Sequence, residues 1–307
     1  MVYFDPYYRL FLKMIFKRLF SLSIEFMQSF DDLIRTTRTV IADTNLTLDI
    51  AKVYELIPIT ECVVPEKKKG RRKKDCISVA PVVLPSGSII SAKYNGQSKG
   101  LVSKSGKAAF KNSITIVMDI KQRRVNFKLS KNGRFQITGN NDDYHIDKCV
   151  KYMWKLLRTW PDVYEVNGTS LKVTFWSSMV NFKTNVGFRI SRQNLNTYVN
   201  EMTEYVSIFE TSSGSASVNI KIPLVFDDLE LRTMTFRSNK WVRGTVMYND
   251  FVQCASGKIT NKDKRYVSFL VFHTGEIIMT AMDREVMKPY FEKFIALLTD
   301  FRTHECK

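Results

Sequence analysis

The sequence predicts an α+β chain made of two repeats. Their strands join into one curved antiparallel sheet with helices on its convex side, a saddle. Three observations lead there. The segment NFKLSKNGRFQITG (126–139) lines up with SFLVFHTGEIIMTA (268–281), which places Gly133 on Gly275, Ile137 on Met279 and Thr138 on Thr280. Self-similarity of this kind marks a repeated supersecondary unit. The strands in both copies alternate apolar with polar side chains, as a sheet with one buried and one wet face does. An apolar pattern of helical period follows each copy at a similar distance.

Composition bounds the rest. With 307 residues, 44% of them hydrophobic and 12% aromatic, the chain can bury a core in two domains and is not globally disordered. Its 47 Lys and Arg outnumber its 30 Asp and Glu, leaving a net charge of +17. Residues 1–165 hold 29 basic against 16 acidic side chains and residues 166–307 hold 18 against 14, so the excess lies in the first half. A polyanion is the partner such a charge suits: nucleic acid first, an acidic membrane surface second. Five cysteines without CxxC spacing and three histidines make neither a disulfide framework nor a zinc ribbon, and read as reduced intracellular thiols.

In chain order, residues 1–35 are expected to form an N-terminal helical extension. Pro6 suits its start, and Leu12, Ile15, Phe16, Leu19, Phe20 and Leu22 recur near helical spacing between Lys13, Lys17 and Arg18. Two readings stand: a helix docked on the body, or one lying on an anionic membrane surface. The charges inside it argue against a spanning helix and against a signal peptide.

The first repeat occupies 36–165. Val40-Ile41 and Leu46-Leu48-Ile50 supply its first apolar positions. A loop-rich basic insert, 65–110, carries the run Lys67-Lys68-Lys69-Gly70-Arg71-Arg72-Lys73-Lys74. That run is a solvated insert, an import signal or an arm on phosphate. Strands follow at 113–120 and 124–129, then an Asn132-Gly133 turn and a strand over 134–138. A helix starts near Asn141 or Asp142 and buries Ile146, Cys149, Val150, Met153, Trp154 and Leu157. The second repeat, 166–307, has strands at 266–272 and 276–281. Its last helix offers Val286, Tyr290, Phe291, Phe294, Leu297 and Leu298 to a core. Asn181-Phe182-Lys183 through Ile190 takes the place that Asn45–Ile50 holds in the first repeat.

Catalytic chemistry has little to stand on. Asp142, Asp143 and His145 sit at a helix start, where carboxylates cap amides. A phosphate loop is absent, and His273 has no metal-ligating neighbour in sequence. The chain therefore reads as a binding protein rather than an enzyme, with no cofactor and no metal.

The motif strand–turn–Gly–strand–Thr–helix, present twice, resembles the TATA-box-binding protein family. VNFKLSKNGRFQITG (125–139) looks like the divergent versions encoded by large DNA viruses, and FLVFHTGEIIMTA (269–281) like the second repeat of cellular members. The resemblance covers roughly residues 36–303 and is strong at 112–158 and 265–301. It implies a transcription initiation factor that binds double-stranded DNA in the minor groove and bends it with apolar wedges. RNA polymerase and other initiation factors would be partners, in a nucleus, a viral factory or a virion. No membrane is expected, and the oligomeric state stays open.

Residue by residue, the resemblance makes Phe272 a wedge, Thr138 and Thr280 base-edge contacts and Ile278 a groove liner. Ser130 stands at the first-repeat wedge position, which leaves Phe127 or Leu129 as a displaced wedge, and Gln136 replaces the groove liner. Trp241 or Val242, ahead of Gly244, falls nearest the other second-repeat wedge. Thr39 and Phe175 fall nearest the family's central Asn residues. Arg232, Arg237, Lys240 and Arg243 around Trp241, and Lys128, Lys131 and Arg134 around the first turn, are phosphate contacts or a solvated edge. A second function is open: a saddle-fold accessory or structural protein that uses its charge for packaging or assembly. A third is the substrate-recognition part of a nucleic-acid enzyme.

Overall fold

Alternating burial runs through the strands at 123–130, 135–138, 266–272 and 276–281. The computed structural model describes residues 29–61, 83–101, 111–139, 142–210, 216–224, 229–256 and 265–305. The helical segment expected over most of 1–35 and the run Lys67–Lys74 lie outside them. The chain divides into two compact units, one of Thr37–Ser178 with Phe226–Gly257, the other of Met1–Thr36, Met179–Val225 and Lys258–Lys307.

The first unit holds strands β1 (Arg35–Thr44), β3 (Ile89–Tyr94), β4 (Gln97–Gly100), β5 (Ser113–Ile120), β6 (Arg123–Ser130) and β7 (Phe135–Thr138). They pair in the order β1-β7-β6-β5-β3-β4. Short strands β2 (Leu46–Leu48) and β8 (Tyr164–Val166) pair separately. Helix α1 (Ile50–Leu56) starts at Asp49, whose carboxylate accepts the Lys52 N–H. Helix α2 (Asp143–Leu157) starts at Asp142, whose carboxylate accepts the Tyr144 N–H at 2.8 Å. The six apolar residues expected to line α2 are all buried, together with Val125, Phe127, Leu129, Phe135 and Ile137 from the strands. Burial pushes the Cys149 thiol well above its ordinary range, so this cysteine is an inert core residue.

The second unit holds the far half of β9 (Leu171–Asn185), then β10 (Val206–Glu210), β11 (Ser217–Pro223), β14 (Tyr266–Phe272) and β15 (Glu276–Ala281), in the order β10-β11-β14-β15-β9. Helices α3 (Arg192–Met202) and α5 (Arg284–Glu305) belong to it. Its core centres on Phe269, stacked on Phe294 with ring centroids 4.1 Å apart. Such a pair adds about 1 kcal/mol beyond the area it buries.

The same local devices recur in both units. Thr39 pairs with Thr138, and Asn181 pairs with Thr280. The Leu48 N–H donates to the Lys131 carbonyl, and the Ile190 N–H to the His273 carbonyl. Asp49 caps α1, and Ser191 caps α3. Each equivalent pair (39 and 181, 48 and 190, 138 and 280) is separated by 142 residues.

Two expectations change. Residues 89–100 of the expected loop insert form the β3–β4 hairpin, turned by Asn95 (φ 46°) and Gly96 (φ 82°). Ile89, Ile90 and Ala92 are buried there, and β3 continues the sheet beyond β5. The units also divide the chain elsewhere than at 165/166. The near half of β9 pairs with β12 (Glu230–Arg237), which pairs with β13 (Lys240–Met247). This hairpin and helix α4 (Tyr248–Ser256) thereby join the first unit.

Candidate nucleic-acid interface

Period-two burial gives each sheet a covered face and an open one. In β14, Val267, Phe269 and Val271 are buried while Ser268, Leu270 and Phe272 are half-exposed. In β15, Ile277, Met279 and Ala281 are buried while Ile278 and Thr280 are half-exposed. Phe272, Ile278 and Thr280 therefore share the open face of the second unit. One cross-strand row there runs Ile208, Asn219, Leu270, Ile278, Lys183, and the next runs Val206, Lys221, Ser268, Thr280, Asn181. The Thr280 hydroxyl donates to Asn181 Oδ1 at 2.8 Å. Val206, Ile208 and Met179 are 46%, 43% and 36% exposed, so this face shows apolar side chains among its polar ones.

The first unit presents the equivalent rows with different chemistry. They run Lys93, Thr115, Lys128, Gln136, Ile41 and Ser91, Val117, Asn126, Thr138, Thr39. Lys128 stands where the second unit has Leu270, and Gln136 where it has Ile278. This open face is polar and basic, with Thr138 exposed on it. Arg134 is ion-paired with Asp43 at 2.7 Å, and Lys131 is exposed in the turn. Carboxylates on these faces are engaged: Glu276 by Lys183 at 2.9 Å, and Asp119 by the Gln122 N–H at 3.0 Å.

Five expected site residues are placed otherwise: Phe127, Leu129, Trp241, Arg232 and Arg243. Phe127 is 1% exposed and packs against Phe135, and Leu129 is fully buried, so neither stands in for the missing wedge at Ser130. Their odd positions in β6 face the core, whereas Lys128 and Ser130 face out. Trp241 lies on the covered face, 5.1 Å from Phe236, which meets Trp154 of α2 edge-on. Arg243 shares that face and approaches Asp147 of α2 at 3.6 Å. Arg232 is bound by the same carboxylate and lies over the Phe175 ring. Lys151 beside Trp241 has its ammonium pKa lowered by burial, against the pull of Asp147. The alternation that places Trp241 and Arg243 on the side of α2, where the Arg243 side chain stays 75% exposed, places Lys240 and Val242 on the other side, with Val242 58% exposed. Arg237, opposite Lys240, is exposed beside them, next to Thr233 and Thr235.

Asn181 was not among the expected residues. Phe175, one of the two sequence positions nearest the family's central Asn, is buried on the covered face of the first unit. The signal was present: Thr39, the other position, lies 142 residues before Asn181, the separation of Thr138 and Thr280. The Asp142 carboxyl is held below its usual range by the Tyr144 N–H and then His145, which makes it a helix cap in a charged setting.

No protein-family model matches the chain. It is 25% identical over 212 residues to uncharacterized protein 335L of Invertebrate iridescent virus 6, an alignment covering 64% of this chain and 62% of that protein. The chain thus spans less than two thirds of that relative's length. Among solved structures it is similar to the TBP of Methanococcus jannaschii, with a TM-score of 0.39 and 10% sequence identity, over 87% of this chain and 98% of that one.

Proposed function

We propose that the protein binds double-stranded DNA through the open sheet face of each of its two units, as a TATA-box-binding-protein-like initiation factor that enters the minor groove and bends the duplex. In this reading the two units are the halves of a saddle, with strands on the concave side and helices on the convex. The protein is a binding protein rather than an enzyme. It would act with RNA polymerase and other initiation factors in an infected cell, at the nucleus, a viral factory or the virion. One observation carries the reading: at equivalent positions each unit presents a threonine, Thr138 or Thr280, on an open face beside β1 or β9. The apolar side chains Leu270, Phe272 and Ile278 of the second face suit contact with sugars and base edges, and the +17 charge suits phosphate.

The basic face of the first unit favours a second reading, an accessory protein that packages nucleic acid by charge. Binding to A·T-rich and G·C-rich duplexes over a salt series, with a bending readout, separates the two. Log affinity should fall linearly with log salt, by about 0.9 per phosphate neutralised. Initiation-factor behaviour adds a bend, and packaging shows the slope without one. Salt-independent affinity, or no binding at low salt, overturns both.

In this reading the charges on the open side of the sheet carry the binding. Arg237→Ala and Lys240→Ala should each reduce the salt slope by about one. Arg243→Ala should leave it unchanged, because that side chain, although exposed, lies on the side of the sheet that carries α2, opposite the open face. Deleting Lys67–Lys74 should leave the Tm nearly unchanged, since the run has no apolar side chain to bury, while weakening binding by removing seven positive charges. A large fall in Tm would show instead that the run packs on the body.

A further inference from the structure

Strand β13 is an edge. Among the described residues it pairs with β12 alone, and over its 8 residues it carries neither a proline nor a shift in register. Val242, Arg243, Gly244 and Thr245 are exposed in succession, so neither face of its middle is covered. An edge of this kind is a template for another strand, and the device that natural edges use against indiscriminate pairing, charge, is present in Lys240 and Arg243. β13, β12, the near half of β9 and α2 all belong to the first unit.

The register decides which backbone groups point outward. Ser238 and Asn239, at φ 49° and 60°, make a two-residue hairpin turn, which closes on Arg237 and Lys240 as a bonded pair. At the other end the Tyr248 N–H donates to the Leu229 carbonyl at 2.8 Å, in the same phase. Bonded and non-bonded pairs alternate along an antiparallel ladder. Lys240, Val242, Gly244 and Val246 therefore bond to β12, while Trp241, Arg243 and Thr245 turn both N–H and C=O toward the open edge.

The edge is fastened to α2 and is cationic. Trp241 packs 5.1 Å from Phe236, Phe236 meets Trp154, and Arg158 donates to Asn239 Oδ1 in the turn at 3.0 Å. Around α2, Arg38, Lys151, Arg232 and Arg243 share two carboxylates, Asp143 and Asp147, which leaves positive charge in excess. β13 itself has no acidic residue.

We infer that β13 takes up an extended acidic segment of another protein as an added strand, with carboxylates beside Arg243 on the α2 side and apolar side chains beside Val242 on the other. Residues opposite each other across a ladder share a face, so a segment that alternates acidic with apolar residues meets both demands. A second copy of the chain does not, because it would align two acid-free cationic strands, and like charges across a ladder repel. DNA binding at the open faces is not required for it.

Residue-resolved amide exchange of the full chain tests it, with and without a blocked peptide of alternating glutamate and valine. Without peptide, the amides of Trp241, Arg243 and Thr245 should exchange fast and those of Val242 and Gly244 slowly. With it, the first three should slow by at least about tenfold, and a lysine–valine peptide should leave them fast. Thr245→Pro removes an outward N–H that β12 does not use. It should keep the protection of Val242 and Gly244 while weakening the glutamate–valine peptide by at least about tenfold. Arg243→Ala should weaken that peptide by a similar factor without altering the free chain's exchange. Fast exchange at all three outward amides under millimolar peptide, equal uptake of the two peptides, or an unchanged affinity in Thr245→Pro overturns the inference. It is equally overturned if those amides are protected in the wild-type chain alone and lose protection on dilution, which makes a second copy the occupant. Protection by an A·T-rich duplex in place of the peptide overturns it too, and makes the edge part of a nucleic-acid surface.

Discussion

Gly275→Ala should destabilise the second unit by about 4 kcal/mol, and Gly133→Ala should do the same to the first. Both glycines close the turn between the strands that carry the aligned motifs, donating N–H to Phe272 O and Ser130 O at 3.0 Å. Their φ angles are +81° and +69°, in the left-handed region where a β-carbon alone costs about 1 kcal/mol. The larger part comes from close approach. A β-carbon on Gly275 would lie 2.2 Å from the Phe188 carbonyl oxygen, and one on Gly133 would lie 2.3 Å from Thr44 Oγ1 and 2.6 Å from the Leu46 carbonyl oxygen. A backbone oxygen cannot rotate away, so the neighbouring segment must move. Gly139 is the control: its φ is +72°, but a β-carbon there meets nothing within 4 Å. Gly139→Ala should therefore cost only the strain, about 1 kcal/mol. Denaturant midpoints at fixed m-value would measure all three. Equal losses at Gly139 and Gly275 would mean that close packing against Phe188 adds nothing.

These turns also show what the sequence could disclose. The motif strands and their helices were legible because burial on one face forces a period that composition alone displays, as in Tyr266–Phe272 and Glu276–Ala281. The same period decides which residues of the site are exposed. Phe127 is the exception: it is expected as a displaced wedge, although the alternation of β6 already places Lys128 and Ser130 outward. Trp241 and Arg243 could not be assigned a face from sequence. Their side depends on the register of β13 against β12, and on β12 pairing with a strand more than 50 residues earlier. The β3–β4 hairpin was hidden by its setting in a basic, Ser- and Gly-rich tract, although Asn95-Gly96 is a strong hairpin turn signal. Asn181 was missed for a different reason. The two repeats differ most in what lies between their matching ends, and only strand pairing shows that the inserts restore a common separation.

The second expected result concerns bending. Phe272→Ala should abolish most of the bend in a bound duplex, and Ser130→Phe should increase it. The two residues hold the same place, the carbonyl partner of a turn glycine, and both are half-exposed. Phe272 extends the apolar surface of Leu270 and Ile278. Ser130 ends a strand whose outward neighbours are Lys128 and Asn126. Unstacking a base step costs a few kcal/mol, recovered only if an apolar wedge occupies the gap and the bent duplex wraps more of the protein. Serine offers too little surface for that, and Phe127 and Leu129 cannot substitute without leaving a core in which each is at most 1% exposed. One end of the site should therefore kink and the other should be held by charge, so the bend centre should lie off the middle of the footprint. Ser130→Phe should move it toward the middle without improving affinity at low salt, where phosphate contacts dominate. Fluorescence transfer between duplex ends, with permuted bend positions, reads both changes. Symmetric kinks in the wild-type complex, or an unchanged bend in Phe272→Ala, would remove Phe272 from the interface and leave electrostatic packaging as the better account of the two open faces.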